Sequence, residues 1–320
     1  MVACPFRCIY CDQKKISGHA ELPETAEIFQ IIQTHLSTIP PVAEVQVGFF
    51  GGTFTGLDHE VQETYLEAVQ PFIREGRIKS IRLSTRPDFI SEEILEILKN
   101  HHVETIELGA QSMDDAVLRK SGRGHKAVVT EEASKMIRDF GFRLGLQMMI
   151  GLPGDTSEKS VFTARKFVEL GAEDVRIYPT LVIKDTPLEK LYHQGKYQPL
   201  SLEEAVEQTA AIFPVFEEDG INIIRAGLHP SEGLLNKNEL VAGPFHVSFK
   251  ELVLTRLWQD QFSGIESKYQ DIAIFVAPKQ LNAAIGYSGT NKKMLLNRFN
   301  SVTFRTDKSL KNRDFYVDYC

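Results

Sequence analysis

The sequence predicts an α/β protein: a partial βα barrel carrying a small α/β domain at its C-terminal end. Three observations lead there. Short β-branched and aromatic runs alternate with stretches of helical period as far as Arg225, and such alternation implies a parallel sheet with right-handed crossovers. Six of those runs hand over to loops rich in Gly, Pro and polar groups. Residues 271–305 then switch to a compact strand–helix–loop–helix–strand order.

The elements follow in sequence. Ile28, Ile31, Ile32, Leu36 and Ile39 fall at helical spacing, and Pro40-Pro41 stops that helix. Residues 44–50 read as a strand, and Val61, Tyr65, Val69 and Phe72 mark the next helix. A strand over 80–84, a helix over 91–100 and a strand over 104–109 come next. Helices near 114–120 and 130–140 lead to a strand at 143–150, a helix at 157–170 and a strand at 174–178. Ser201-Leu-Glu-Glu204 is a capping box that opens a helix to about Asp219, and 221–225 is the last strand of the series. Beyond it, 244–262 reads as a helix with the only Trp, Trp258. A strand at 271–276, a short helix at 278–285, a loop at 286–289, a helix at 290–299 and a strand at 301–305 complete the chain. No internal repeat is visible.

Composition sets the class. The 320 residues are 42% hydrophobic and 25% charged, ordinary values for a globular protein. No apolar run reaches membrane-span length, and no secretory signal precedes Cys4. Four cysteines, three of them clustered, make no disulfide framework and point to a reducing, cytoplasmic compartment. Cys320 reads as a free thiol. A net charge of −7 argues against a uniformly basic nucleic-acid coat. It leaves room for a local patch: from Lys279 onward eight basic residues face three acidic ones, a net +5.

The chemistry gathers at the start of the chain. Cys4-Pro-Phe-Arg-Cys8-Ile-Tyr-Cys11 reads C-x3-C-x2-C. Three thiolates in one short loop can hold three irons of a cubane iron–sulfur cluster, leaving the fourth iron open to a non-protein ligand. A zinc site would normally close with a fourth ligand at similar spacing, and none lies nearby.

The strand ends supply further candidates, since βα barrels build their sites from those loops. Gly51-Gly52 lets backbone approach a ligand, or makes a tight turn. Arg86 can pair a carboxylate bidentately, or can pair locally with Asp88. Gln111 and Gln147 would be buried amides in need of partners, which a ligand or the backbone would supply. Tyr178 would flank a ligand ring or belong to the core. His125 and His229 are loop histidines with the right chemistry for proton work, although such histidines are more often bystanders.

The cysteine loop resembles that of the radical S-adenosylmethionine (radical SAM) enzymes. The resemblance implies a 4Fe–4S cluster on Cys4, Cys8 and Cys11, whose open iron binds the methionine part of S-adenosylmethionine. It places Tyr10 against the adenine and Gly51-Gly52 at the methionine amine, with Thr53 where the family often has Glu. Arg86, Gln111, Gln147 and Tyr178 complete the expected cofactor site. The implied fold is a partial (βα)6 TIM-like barrel over 1–230, with 231–320 as the C-terminal domain. A barrel of this kind has a strand just before the cluster loop, so with only three residues ahead of Cys4 the first strand is expected to be missing or truncated.

A closer resemblance runs in order from residue 4 to about 205. Thr85-Arg-Pro-Asp88, Glu107-Leu-Gly-Ala-Gln-Ser112, Arg123-Gly-His125 and Arg176-Ile-Tyr-Pro-Thr-Leu-Val-Ile183 are similar to the catalytic subunit of Elongator. So are Thr186-Pro-Leu and Leu191-Tyr-His-Gln-Gly-Lys-Tyr197. That family modifies wobble uridine in tRNA with a radical SAM core and an acetyl-CoA-binding acetyltransferase-like domain. The ninety residues after 230 are too few for the latter. The expectation is therefore reductive cleavage of S-adenosylmethionine for modification of RNA, with tRNA and an electron donor such as flavodoxin or ferredoxin as partners. The alternatives are radical chemistry on a small molecule, such as anaerobic porphyrin oxidation, and a non-catalytic iron–sulfur protein that binds RNA or senses redox state. No catalytic side chain is singled out.

The C-terminal order resembles the core of a KH RNA-binding module. The resemblance makes Gly286, Tyr287, Ser288 and Gly289 the phosphate-approaching loop and Lys292 and Lys293 the charge beside it. The bland alternative is a small appendage whose Gly-x-x-Gly is only a turn.

Overall fold

A computed structural model describes residues 8–12, 22–40, 42–266 and 271–319. Six parallel strands form its main sheet. They are β1 (Gln46–Phe49), β2 (Ser80–Thr85), β3 (Val103–Gln111), β4 (Arg143–Ile150), β5 (Asp174–Pro179) and, after a two-residue strand β6 (Val182–Ile183), β7 (Asn222–Ala226). The order β1-β2-β3-β4-β5-β7 is that of a half-barrel.

Helices close one face only. α1 (Thr25–Leu36), α2 (His59–Arg74), α3 (Glu92–Asn100), α4 (Asp115–Lys120), α5 (Ala127–Asp139) and α6 (Ser157–Glu169) precede α7 (Pro187–His193) and α8 (Leu202–Glu218). Side chains alternate across a strand, so Ile81, Leu83, Ile106, Leu108, Leu144, Leu146, Val175 and Ile177 all point to the helices and are fully buried. The alternate positions carry Arg82, Glu107, Gln147 and Arg176, and these form the concave face. The capping box at Ser201 is present, with Glu204 N donating to Ser201 Oγ and Ser201 N to Glu204 Oε2.

The first helix is shorter than its apolar spacing predicts. It ends at Leu36, ahead of Pro40, and only Ile28 and Ile32 of the stripe are buried; Ile31 is 53% exposed. Residues one i,i+4 step apart share a face; that pair is buried in the barrel core, and Leu36, one further step along, packs partly buried against it.

After α9 (Glu232–Leu235), strand β8 (Leu240–Ala242) pairs antiparallel with β6. Helix α10 (Phe249–Ser263) then joins two cores. Phe249, Val253 and Leu257 belong to the barrel core, while Trp258 and Phe262 enter a second cluster with Ile272, Ile274, Val276, Leu295 and Val302. This small domain has the expected order: β9 (Asp271–Val276), α11 (Leu281–Ile285), a glycine loop, α12 (Thr290–Leu296) and β10 (Ser301–Thr306). It adds an unforeseen strand, β11 (Phe315–Tyr319), antiparallel to β9 on the side away from β10. No described helix is long and apolar enough to cross a membrane.

Candidate active site at the strand ends

The strand-end loops of the half-barrel converge on one cavity of about 490 Å³. Cys8, Tyr10, Cys11, Gly51, Gly52, Thr53, Arg86, Gln111, Gln147 and Tyr178 all line it. Cys4 lies outside the described residues, so the structure bears on two of the three expected cluster cysteines.

The described part of the cysteine loop closes on itself through Cys11 N donating to Cys8 O (3.1 Å) and is also fixed by its neighbours. Ile9 N donates to Ser121 O at the end of α4 (3.1 Å), and Leu188 N donates to Ile9 O from the start of α7 (2.8 Å). Cys8 and Tyr10 are buried against Val117, Leu152, Val182, Leu188 and Tyr197. Tyr197 in turn donates its hydroxyl to Gly151 O (2.7 Å), tying down the loop after β4.

Two guanidinium groups stand over Cys8. Arg123 Nη1 lies 3.5 Å from its sulfur and Arg86 Nη1 lies 3.9 Å away. Both arginines are almost wholly buried. Arg86 is held by Asp88 through two contacts of 2.9 and 2.8 Å, so the local ion pair of Thr85-Arg-Pro-Asp88 does form while the same guanidinium reaches the cysteine. Arg123 donates to Gly109 O, yet its Nε has no partner among the described residues. A buried guanidinium edge left open beside the cysteine loop suits an anionic ligand.

Across the cavity, Gly51 takes φ +105°, and a Cβ added at Gly51 or Gly52 would meet nothing within 4 Å. Glycine is therefore not demanded by packing at Gly52; the exposed backbone faces open space, as a ligand-binding turn requires. Thr53 opens the short turn that follows, and Thr55 anchors it, with hydroxyl contacts of 2.6 Å to Thr85 and to Phe89 O. Gln111 ends β3 with φ +69°, an uncommon conformation for a residue with a Cβ.

The floor is a buried ion-pair network. Glu107, 1% exposed, meets Arg82 at 2.7 Å and Arg176 at 2.5 Å, and accepts a 3.0 Å hydrogen bond from Gln147. Gln147 is thus partnered by protein. Arg82 continues to Asp174 at 3.3 Å, which also binds Arg143 at 2.9 Å. Gly145 is needed beneath this network: its Cβ would lie 2.6 Å from Glu107 Cγ. Arg176 also stacks over Phe50, 4.8 Å from the ring centroid. Burial raises the Tyr178 phenol above its usual range against the opposing charge of Arg176, so Tyr178 is a neutral donor.

The two histidines separate. His229 lines the cavity and His125 does not. Burial, then the charge of Arg123, pulls His125 down to about 4. It is neutral at neutral pH and is not an imidazolium acid there.

Arg123, Arg176, Arg225 and Phe50 line the cavity beyond the residues expected from the sequence. The signal for the two strand arginines is a single cation set between apolar residues: Val175-Arg-Ile177 in β5 and Ile224-Arg-Ala226 in β7.

The glycine loop of the small domain lies between α11 and α12. Gly286, Ser288 and Gly289 take positive φ, and Tyr287, Ser288, Lys292 and Lys293 are exposed. The loop is anchored to α10: Tyr287 N donates to Thr255 Oγ1 (2.8 Å) and Asn291 Nδ2 to Thr255 O (3.0 Å). Of the eight basic residues counted from Lys279 onward, Arg313 is taken by Glu217 and Arg298 by the carbonyls of Phe262 and Ile265.

Comparison with known proteins agrees with this geometry. A family model described as Radical SAM superfamily matches residues 1–166, and one described as Radical_SAM C-terminal domain matches 172–259. The tRNA uridine(34) acetyltransferase of Methanocaldococcus infernus is 28% identical over 190 residues, 52% of this chain and 35% of that protein. Elongator complex protein 3 of Homo sapiens is 29% identical over 191 residues, 53% of this chain and 35% of that protein. The Heme chaperone HemW of Bacillus subtilis is 25% identical over 244 residues, 74% of this chain and 64% of that protein. The chain thus spans about a third to two thirds of these relatives. The structure of archaeal Methanocaldococcus infernus Elp3 with an N-terminal deletion superposes with a TM-score of 0.64 at 22% identity, over 74% of this chain and 59% of that one. It shares the fold.

Proposed function

For this chain, which belongs to the radical SAM superfamily, we propose reductive cleavage of S-adenosylmethionine at a 4Fe–4S cluster in order to modify RNA, with tRNA as the substrate. One observation carries the cofactor reading: the loops after β1 and β2 and the C-terminal parts of β3, β4 and β5 bring glycine backbone, amide and guanidinium groups to the same cavity as Cys8, Cys11 and Tyr10. The donor set fits the group. Cys4, Cys8 and Cys11 would hold the cluster. Gly51-Gly52 would offer backbone to the methionine amine, the open edge of Arg123 would take its carboxylate, and Tyr10 would pack on the adenine. When bound, cluster and cofactor together supply one-electron cleavage that yields methionine and a 5′-deoxyadenosyl radical. The protein's part is to bind, orient and exclude water. The buried Cys8, Tyr10 and Arg123 make one dry wall, and the Glu107 network holds the other rigid.

The RNA reading draws on two supports. Relatives named tRNA uridine(34) acetyltransferase and Elongator complex protein 3 match the core. The segment from Lys279 carries a net +5 on a chain of −7. The division of labour we propose is a radical core over 1–230 and an RNA-binding part over 231–320. A second reading, a tetrapyrrole-type small molecule, is favoured by the HemW relative, which covers 74% of the chain.

Reconstituted protein with dithionite and S-adenosylmethionine is expected to release 5′-deoxyadenosine slowly without substrate and faster with tRNA. Gly52→Val places a branched side chain in the space now open, and should lower that release at least about tenfold, roughly 1.4 kcal/mol, with the iron content unchanged. Cluster-loaded parent protein that makes no 5′-deoxyadenosine would move the reading to a non-catalytic iron–sulfur protein.

For the small domain, Tyr287→Asp with Ser288→Asp puts two negative charges on exposed positions of the glycine loop. Its packing cost is small: Tyr287 gives up one edge contact with His246 at 5.4 Å. A gel-shift titration at two salt concentrations should show tRNA binding weakened about tenfold, with a shallower salt dependence. Superimposable curves for parent and variant would make the loop only a turn.

A further inference from the structure

Arg225 is a cation without a counterion among the described residues. It lies directly opposite Arg176 in the β5–β7 register, and both line the cavity. Arg176 is neutralised by Glu107. Arg225 makes no hydrogen bond or ion pair with any described residue, while its charge is felt by Tyr178 and by Lys250. Lys250 does not turn to it, donating instead to Ile223 O at 3.0 Å. Among the described residues the cavity lining contains four arginines and no Asp or Glu. Two of the four, Arg86 and Arg123, are at Cys8. Arg225 stands apart from them on the edge strand β7, at the opposite end of the sheet from β1 and its Gly51-Gly52. His229, exposed, follows on the loop from the same strand.

We propose that Arg225 is the residue that binds an oxyanion of the substrate, with Tyr178 and His229 as neighbouring donors; where the substrate is RNA, the oxyanion is a backbone phosphate. An unpaired guanidinium in a partly enclosed cavity offers a two-pronged donor at little reorganisation cost. Its place on the far edge strand keeps it clear of the groups expected to hold the methionine carboxylate. The assignment rests on the proposed function above, because it takes the cavity to hold cofactor at one end and substrate at the other.

The test is equilibrium binding of a fluorescent tRNA anticodon stem-loop to the full, cluster-loaded chain over a salt series. Arg225→Gln is expected to weaken binding about tenfold, and to lower the slope of log K against log salt by about 0.7–0.9, one phosphate contact. Arg225→Lys keeps the charge and should keep most of that slope. Parent-like affinity and slope in Arg225→Gln would overturn the assignment, as would equal losses in both variants, which mark a packing role. If the parent itself ignores the stem-loop, the RNA reading fails, and Arg225 is tested with a tetracarboxylate porphyrin by fluorescence quenching. A tenfold loss in Arg225→Gln there supports the oxyanion site with a carboxylate as its source. No binding, or equal binding by parent and variant, overturns it.

Discussion

Protein carrying Cys8→Ala or Cys11→Ala should emerge from anaerobic iron–sulfur reconstitution with no bound cluster, where the parent takes up about four irons per chain. Three thiolates are the minimum for a cubane with one open iron, so removing any of them leaves two, and two do not hold the site. The structure adds a reason why Cys8 is the more severe loss. Its sulfur is buried under Arg123 and Arg86, and Ala in its place leaves two guanidinium groups facing a void. Cys11 is only partly buried. Cys4→Ala should behave like Cys11→Ala, and Cys320→Ala like the parent. Iron analysis with ultraviolet–visible spectra decides it; stoichiometric zinc and no iron in the parent would remove the cluster.

Glu107→Ala should be the most destabilising single change in the barrel, by about 3–5 kcal/mol. Glu107 is the carboxylate that meets both Arg82 and Arg176; both guanidiniums are mostly buried, and without it Arg176 loses its counterion while Arg82 keeps only its 3.3 Å contact with Asp174. Glu107→Gln keeps the shape but not the charge and should fall between. The same network gives stability a pH dependence. Burial raises the Asp174 carboxyl, but hydrogen bonds from Arg143 and Asn222, with the Arg143 charge, outweigh it and hold the group below the ordinary carboxylate range. A carboxyl depressed in the folded state adds stability above its unfolded value, about 3.9. That stability is lost as pH falls through the folded value. His125 acts in the same sense at milder acidity: its ring is lowered to about 4, against about 6.5 unfolded. Unfolding is therefore favoured as pH drops through the interval between them. Denaturation midpoints at several pH values check both; a Glu107→Ala midpoint equal to the parent's would mean that the arginines find other partners.

The strand-end loops were legible because each Gly, Pro and polar cluster interrupts a strong apolar period, and the parallel topology leaves them one end to occupy. Cys8, Tyr10, Gly51, Gly52, Arg86, Gln111, Gln147 and Tyr178 accordingly meet in one cavity. The concave face was less legible. Arg82, Glu107 and Arg176 read as isolated charges within apolar runs, because their compensation is across strands: residues 25 and 69 positions apart complete it. Arg225 has no hydrogen-bond or ion-pair partner among the described residues, and only the register with Arg176 reveals it. Strand β11 follows a charged turn, and its Phe315-Tyr-Val-Asp-Tyr319 alternation is short enough to pass as loop. The grip of Thr255 on the glycine loop joins residues more than thirty positions apart, which no local pattern encodes.

The most direct measurement follows hydrogen. Transfer RNA transcribed from deuterated nucleotides is incubated anaerobically with cluster-loaded protein, dithionite and unlabelled S-adenosylmethionine, and the 5′-deoxyadenosine is analysed by mass spectrometry. Deuterium in the 5′-deoxyadenosine, together with an altered nucleoside in the digested RNA, is the result expected of radical chemistry on RNA. Unlabelled 5′-deoxyadenosine with unchanged RNA, in protein shown to carry its cluster and to cleave the cofactor, would contradict it.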